Sequence, residues 1–212
     1  MSSTKGFNQG ALNRWNKART PYGYLRSYIL NKPVTHSYHL TLIDLVLVSN
    51  FKGGSATIAE PQDSLDQKLK SYSQKLSHIG CEFGKKSLSI LKDRELTELI
   101  LLASGFCELS KSTDAKINGF GPSFATALLN VNFPKLLPIL DKRGLNGADI
   151  KNVKTNSQGQ VLGIESHYPD LIRYFYKRTN EDSMTVEEID KEIFGFELAE
   201  KYKPKNQRKS NE

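Results

Sequence analysis

Apolar residues recur every three or four positions, and no stretch alternates apolar with polar over the length of a β-strand. That rhythm selects helices with one buried face, so the chain is read as all-α, with about eight to ten short helices. In SLDQKLKSYSQKL, Leu65, Leu69, Tyr72 and Leu76 share a face, and Asp63 or Ser64 is the expected cap. A short helix is expected over residues 8–17, with Leu12 and Trp15 opposite Arg14 and Lys17, and Pro21 opens a separate tyrosine-rich segment. Thr35 or Ser37 should cap a following helix whose apolar residues, Leu40 to Leu47, are dense enough to predict full burial. Lys52-Gly53-Gly54 ends it. A further short helix is expected within residues 84–91, and Asp93-Arg94-Glu95 starts the apolar helix ELTELILLASGF. Residues 169–178 form an aromatic helix, and Thr185 with Glu188 makes a capping box for the last one. Strand character is confined to residues 160–164, a candidate small hairpin.

The 212 residues can bury a sizeable core. A net charge of +7 favours a polyanionic partner, nucleic acid before anionic membrane. Two cysteines, Cys81 and Cys107, without a Cys-x-x-Cys pair fit a reducing cytoplasm and leave no four-cysteine zinc or iron–sulfur site within this chain. The opening residues MSSTKGFNQG have no apolar core, so no secretory signal is expected. The longest apolar run, residues 40–48, carries an aspartate and is far short of the roughly 20 residues that span a bilayer. A soluble cytoplasmic protein is expected. The tail KPKNQRKSNE (residues 203–212 in the main) and residues 1–7 read as disordered.

The chemistry concentrates in INGFGPSFATALLNVNFPKLLPILD, residues 117–141. Gly119-Phe120-Gly121 makes a tight turn, and Pro122 opens a helix kept slim by Ala125 and Ala127. A Gly-x-Gly turn exposes backbone N–H groups, the helix start adds its positive dipole end, and glycine lets a phosphate approach. Such a unit grips a DNA strand without reading its sequence. Pro134 and Pro138 then re-aim the chain, and Asp141 follows 20 residues after Gly121. Taken alone, Asp141 reads as a helix N-cap; a cap can also be a reactive carboxylate.

Gly119, Phe120, Gly121 and Ala125, followed by Pro138 and Asp141, resemble the motif of the helix-hairpin-helix DNA glycosylase superfamily, HhH-GPD, with the nearest flavour being compact bacterial proteins of 8-oxoguanine-glycosylase fold. The specific likeness covers about 25 residues of the chain. The resemblance implies a two-lobed helical fold with the active site between the lobes, one spanning residues 37–135 and the other residues 1–36 plus 136–212. It implies base flipping out of duplex DNA, with Asp141 stabilising the cationic sugar and activating water. Bifunctional members carry a lysine two residues after the second glycine, where this chain has Ser123. A monofunctional enzyme that leaves an abasic site is therefore expected, without strand cleavage, and Lys142 is the nearest substitute amine.

The expected site is Asp141 as catalytic carboxylate, with Gly119, Phe120, Gly121, Ser123, Lys116, Lys142 and Arg143 on the DNA. No metal or organic cofactor takes part in catalysis in this reading, though a cation seated in the hairpin is compatible with it. Double-stranded DNA is the partner and a monomer the working form, in repair or in defence against phage carrying modified DNA. Trp15, Tyr22, Tyr24, Phe51, Phe106 and Phe120 are the candidate wedge or stacking residues. His36 and His39 lack an evident third metal ligand and read as surface or capping residues. The alternatives are a non-catalytic helix-hairpin-helix DNA-binding module and, further off, a nuclease or lyase working through Lys142.

Overall fold

In the computed structural model, residues 9–54 and 57–201 are described. Among them are eight α-helices: α1 (Gln9–Leu30), α2 (Leu42–Phe51), α3 (Gln62–Phe83), α4 (Asp93–Glu108), α5 (Pro122–Asn132), α6 (Lys142–Gly147), α7 (Tyr168–Glu181) and α8 (Val186–Lys201). No strand occurs among the described residues. Two isolated antiparallel bridges, Ile117 with Phe120 and Thr155 with Val161, mark the Gly-x-Gly turn and the small hairpin. The chain is all-α, as its periodicity requires. The tail 203–212 and residues 1–7 lie outside the described residues.

The first departure from expectation is α1, which runs through Pro21 as one helix instead of breaking there. Proline inside a helix costs about 3 kcal/mol, and each fully buried large side chain returns about 1.5–3 kcal/mol. Trp15, Leu25 and Ile29 are all buried along α1, so packing outweighs the broken backbone bond. Helix α1 lies against α2, α5 and α8, and the Arg26 guanidinium donates to the Val131 carbonyl near the end of α5.

The cap of α2 is Thr41, not Thr35 or Ser37; residues Val34–His36 make a 3-10 turn. Asp44 decides this. Its Oδ2 accepts from the Thr41 amide at 2.8 Å, and its Oδ1 lies 2.5 Å from Lys32 Nζ. The pair is shut off from water, with side-chain exposures of 7% for Lys32 and 0% for Asp44. The dense apolar run of α2 is not fully buried. Leu45 and Val48 face the core, while Leu42, Ile43 and Val46 are each about half exposed, because α1 and α5 cover only one side of this helix.

Helices α3 and α4 build the centre. Leu65, Leu69, Tyr72 and Leu76 are buried at the predicted spacing, and Tyr72 meets Phe106 edge-on with ring centroids 5.3 Å apart. Helix α3 starts at Gln62 behind Pro61, so Asp63 lies in its first turn instead of capping it. The helix expected within residues 84–91 is a 3-10 turn, Leu88–Ile90. The Thr185 and Glu188 capping box forms as read, with the Thr185 amide donating to Glu188 at 2.8 Å.

The segment between Phe133 and Asp141 has no regular structure, so its backbone groups need partners from elsewhere. Thr126 on α5 supplies one: its buried hydroxyl accepts from the Leu140 amide at 3.0 Å. Asn130 donates to the Leu137 carbonyl at 2.8 Å, and Tyr168 on α7 donates to the Pro138 carbonyl at 3.0 Å. Leu136, Leu137 and Leu140 are buried between these ties. The clamped segment delivers Asp141 to the start of α6. Helix α6 presses on α8 so closely that a Cβ on Gly147 would stand 2.4 Å from Ile193 Cγ2.

Removing one partner of a buried ion pair leaves an uncompensated charge, at a cost of about 3–5 kcal/mol. Asp44→Ala is therefore expected to lower the unfolding free energy by that amount in a urea titration. A loss below about 1 kcal/mol would show that the Lys32 ammonium finds water and that the pair does not pin the chain just after α1 to α2.

Candidate active site

Asp141 is the N-cap of α6, with Oδ1 accepting from the Gly144 amide at 2.8 Å. The cap reading of this residue therefore describes its local geometry. Its other oxygen, Oδ2, faces Lys52 Nζ at 3.1 Å. Lys52 is the residue at which α2 ends, and Gly53 and Gly54 follow with φ of 100° and 71°. Those left-handed angles turn the chain away from the helix axis and leave the lysine side chain on the site. Asp141 lies deep in the molecule, yet 30% of its side chain stays open because a cavity reaches it. Burial works against its ionised form. Lys52, the Gly144 amide and Arg143 outweigh that and hold its pKa below the ordinary carboxylate value.

The cavity has a volume of about 310 Å³. Helix α1 contributes Trp15, Arg19 and Tyr22, the end of α2 contributes Phe51 and Lys52, and α8 contributes Glu187, Asp190 and Phe194. Trp15 meets Phe194 edge-on at 5.3 Å, and Tyr22 meets Phe51 the same way at 5.3 Å. Cations stand over these rings. The Arg19 guanidinium is 5.5 Å from the Trp15 ring and 5.6 Å from that of Tyr22, and Arg143 is 4.7 Å from that of Phe194. Burial pushes the Tyr22 phenol up to about 12, against the pull of Arg26 and Arg19. It stays protonated near neutrality and can donate a hydrogen bond into the cavity.

Asp190 is the second acid of this wall. Among the described residues no hydrogen bond or ion pair reaches its carboxyl; its neighbours act on it only through space. Burial, then the Asp141 charge, pushes its pKa up to about 7, with Lys52, Arg143 and Arg19 opposing. Two carboxyls in one cavity are thus driven apart, one held ionised and one held protonated below pH 7.

The Gly-x-Gly turn stands at the opposite end of α5 from the cavity, which Asn130 and Pro134 border. Eleven helical residues separate the two by about 16 Å. Gly119 has φ of 80°, but the close approach it allows is to its own chain: a Cβ there would lie 2.6 Å from the Thr57 carbonyl oxygen. The Asn118 amide is taken by Glu60 at 3.0 Å and the Phe120 amide by Ile117. Gly121 faces open space, and Ser123 lies in the first turn of α5, ahead of the Phe124 and Ala125 amides, which donate to the Gly121 carbonyl at 3.0 and 3.1 Å.

Several expected site residues move on inspection. Phe120 is 2% exposed and packs edge-on to Tyr72, so its side chain belongs to the core and only its backbone borders the turn. Phe106 is likewise buried, and Tyr24 is exposed away from the cavity walls, whereas Trp15, Tyr22 and Phe51 line them. Lys142 is exposed and donates to the Gly159 carbonyl at 2.8 Å, while the amine that contacts Asp141 is that of Lys52. Lys116 is exposed beside the turn and Arg143 is exposed at the cavity edge. No helix forms directly before the turn; α4 ends at Glu108 and irregular turns fill residues 109–116.

Comparison with protein families, with characterised proteins and with solved structures returns no match to this chain. The site therefore has to be read from its own geometry. Sequence reasoning missed Lys52 as a site residue and Asp190 altogether. Asp190 had a signal: it interrupts the apolar stripe Val186, Ile189 and Ile193 of α8, where a carboxylate is out of place unless something uses it. Lys52 had none beyond its place before two glycines.

A carboxyl whose pKa is raised on folding binds more protons in the folded state, so stability falls as pH rises through the window between the two values. For Asp190 that window runs from 3.8 to about 7. Chemical denaturation between pH 4 and 7.5 should show a decline in the wild type that is flattened in Asp190→Asn. Parallel profiles for the two proteins would mean that Asp190 ionises normally.

Proposed function

We propose that the chain is a monofunctional DNA glycosylase related to the helix-hairpin-helix type, with the turn and its following helix α5 but no helix directly before the turn, acting as a monomer on double-stranded DNA. The observation that carries this reading is the cavity: one open, ionised aspartate at the foot of an aromatic-walled pocket. Its volume is at the small end of the roughly 300–1,000 Å³ of ligand sites, which suits a single nucleobase. Trp15, Tyr22, Phe51 and Phe194 supply ring surface for a base flipped out of the stack. The walls also draw on both expected lobes, residues 37–135 through Phe51 and Lys52, and the remainder through α1, α6 and α8. That division supports a two-lobed arrangement with the site at the junction.

The chemistry follows from charge. Breaking the N-glycosidic bond builds positive charge on the sugar, and a fixed carboxylate is placed to stabilise it. Asp141 is held ionised by Lys52, so it meets the developing cation without having to lose a proton. Its lone pairs left over from Gly144 and Lys52 can orient a water toward C1′. The Gly119 to Ser123 turn, with the open face at Gly121 and the α5 start, would hold a backbone phosphate one helix length away, and Lys116 would add charge beside it.

One observation favours a second reading, a lyase. The amine nearest the reactive carboxylate is Lys52, at 3.1 Å, and an amine there could attack C1′ in place of water. The two readings separate in one experiment. Duplexes carrying single oxidised, alkylated, deaminated or hypermodified bases are incubated with protein, with and without alkali, and in parallel with borohydride. Hydrolysis gives breaks that need alkali, no covalent trapping, and a loss of about 10²–10³-fold in Asp141→Asn. Breaks without alkali, with a trapped adduct absent in Lys52→Ala, would establish the lyase. Tight binding with no base release across the panel would reduce the chain to a DNA-binding module.

A further inference from the structure

Resting on the base-excision reading, we propose that Asp190 is a second catalytic residue, the acid that protonates the departing base from the wall facing Asp141.

The placement comes from α8. Val186, Glu187, Asp190, Ile193 and Phe194 fall on one face of that helix and line the cavity together. Helix α8 is held at close range to α6, whose N-cap is Asp141, by the contact of Gly147 with Ile193. The two acids therefore border the same space from different elements. Asp141 has its two oxygens engaged by Gly144 and Lys52. Asp190 has neither kind of partner among the described residues, so its carboxyl is left to whatever enters the cavity.

The other charged groups do not fill this role. Arg19 is paired with Glu187 and stacked on Trp15 and Tyr22. Arg143 lies over Phe194, and a guanidinium does not release its proton near neutrality. Lys52 is bound to Asp141. The Tyr22 phenol is held protonated by burial. Asp190 alone of these groups is poised to change its charge close to physiological pH, because burial and the Asp141 carboxylate both resist its ionisation while Lys52, Arg143 and Arg19 favour it.

The step balances as follows. The Asp190 carboxyl gives its proton to a ring nitrogen or carbonyl oxygen of the flipped base. The C1′–N bond breaks with its electron pair going to the base, which leaves neutral. The cationic sugar is stabilised by the Asp141 carboxylate, and water adds at C1′. The proton lost by that water restores Asp190 through solvent. An unprotonated base would have to leave as an anion, and general acid catalysis of this kind contributes about 10²–10⁴-fold. Two carboxyls of opposite protonation state divide the labour as they do in glycoside hydrolysis.

The test uses the full chain and a duplex that the wild type cleaves in the panel above. Single-turnover base release is followed from pH 5 to 9 for the wild type, Asp190→Asn and Asp190→Glu. The wild-type rate should fall tenfold per pH unit on the alkaline side of about pH 7. Asp190→Asn should be slower by about 10²–10⁴-fold at pH 6 and lose that descending limb, and Asp190→Glu should recover part of the rate together with the limb. In the protein alone, carboxyl carbon resonances should show one group titrating near pH 7 that is missing in Asp190→Asn. An active wild type with Asp190→Asn within threefold at pH 6, or with the limb intact, overturns the assignment of Asp190 and leaves base excision standing. A wild type that releases no base from any duplex overturns base excision and this assignment with it.

Discussion

A single hydroxyl in the core fixes where the Asp141 carboxylate stands. Thr126 is completely buried on α5, donates back to the Pro122 carbonyl at 3.1 Å and accepts from the Leu140 amide. The segment it holds makes no secondary structure of its own. A buried amide without a partner costs about 1–3 kcal/mol, so the segment stays where these side chains put it. Thr126, Asn130 and Tyr168 each satisfy one backbone group, and Asp141 is the next residue after the last of them. The carboxylate is thus positioned by α5 and α7, although it formally belongs to α6.

Around that carboxylate the charges alternate. Lys52 stands against Asp141, Arg19 against Glu187, and among the described residues Asp190 has no counter-ion in contact. Near-neutral local charge lets a cavity be both polar and partly dry, and low dielectric strengthens each remaining imbalance. The imbalance sits at Asp190. The aromatic residues then have two uses: their faces carry the guanidinium groups of Arg19 and Arg143, and they leave apolar wall for an uncharged ligand.

The fold was legible in the sequence wherever a helix buries one face. The stripe on α3, the start of α4 and the cap of α8 all stand where periodicity and capping chemistry put them. The reading failed where packing overrode local rules. Pro21 should end a helix, but α1 carries enough buried surface to pass through it. Leu42, Ile43 and Val46 should be buried, but no described element covers their side of α2. For the site, spacing along the chain identified Asp141 and its turn. It could not identify Lys52 or Asp190, because nothing in sequence relates positions on α2 and α8 to position 141. The same limit applied to Phe120, read as a DNA-contacting or stacking residue, whose ring completes the core beside Tyr72.

The Lys52 to Asp141 contact joins residues 89 positions apart, and the Asp190 wall arrives 49 positions later still. Contacts of such separation form only after loop closure has been overcome, late in folding and last during synthesis. The Gly-x-Gly turn leans on Thr57, Glu60 and Tyr72, all earlier in the chain, and has these partners available as soon as α5 has emerged. A growing chain would hold the finished turn well before it has a finished pocket. The cavity in this architecture is a property of the nearly completed polypeptide, closed only by the arrival of α8.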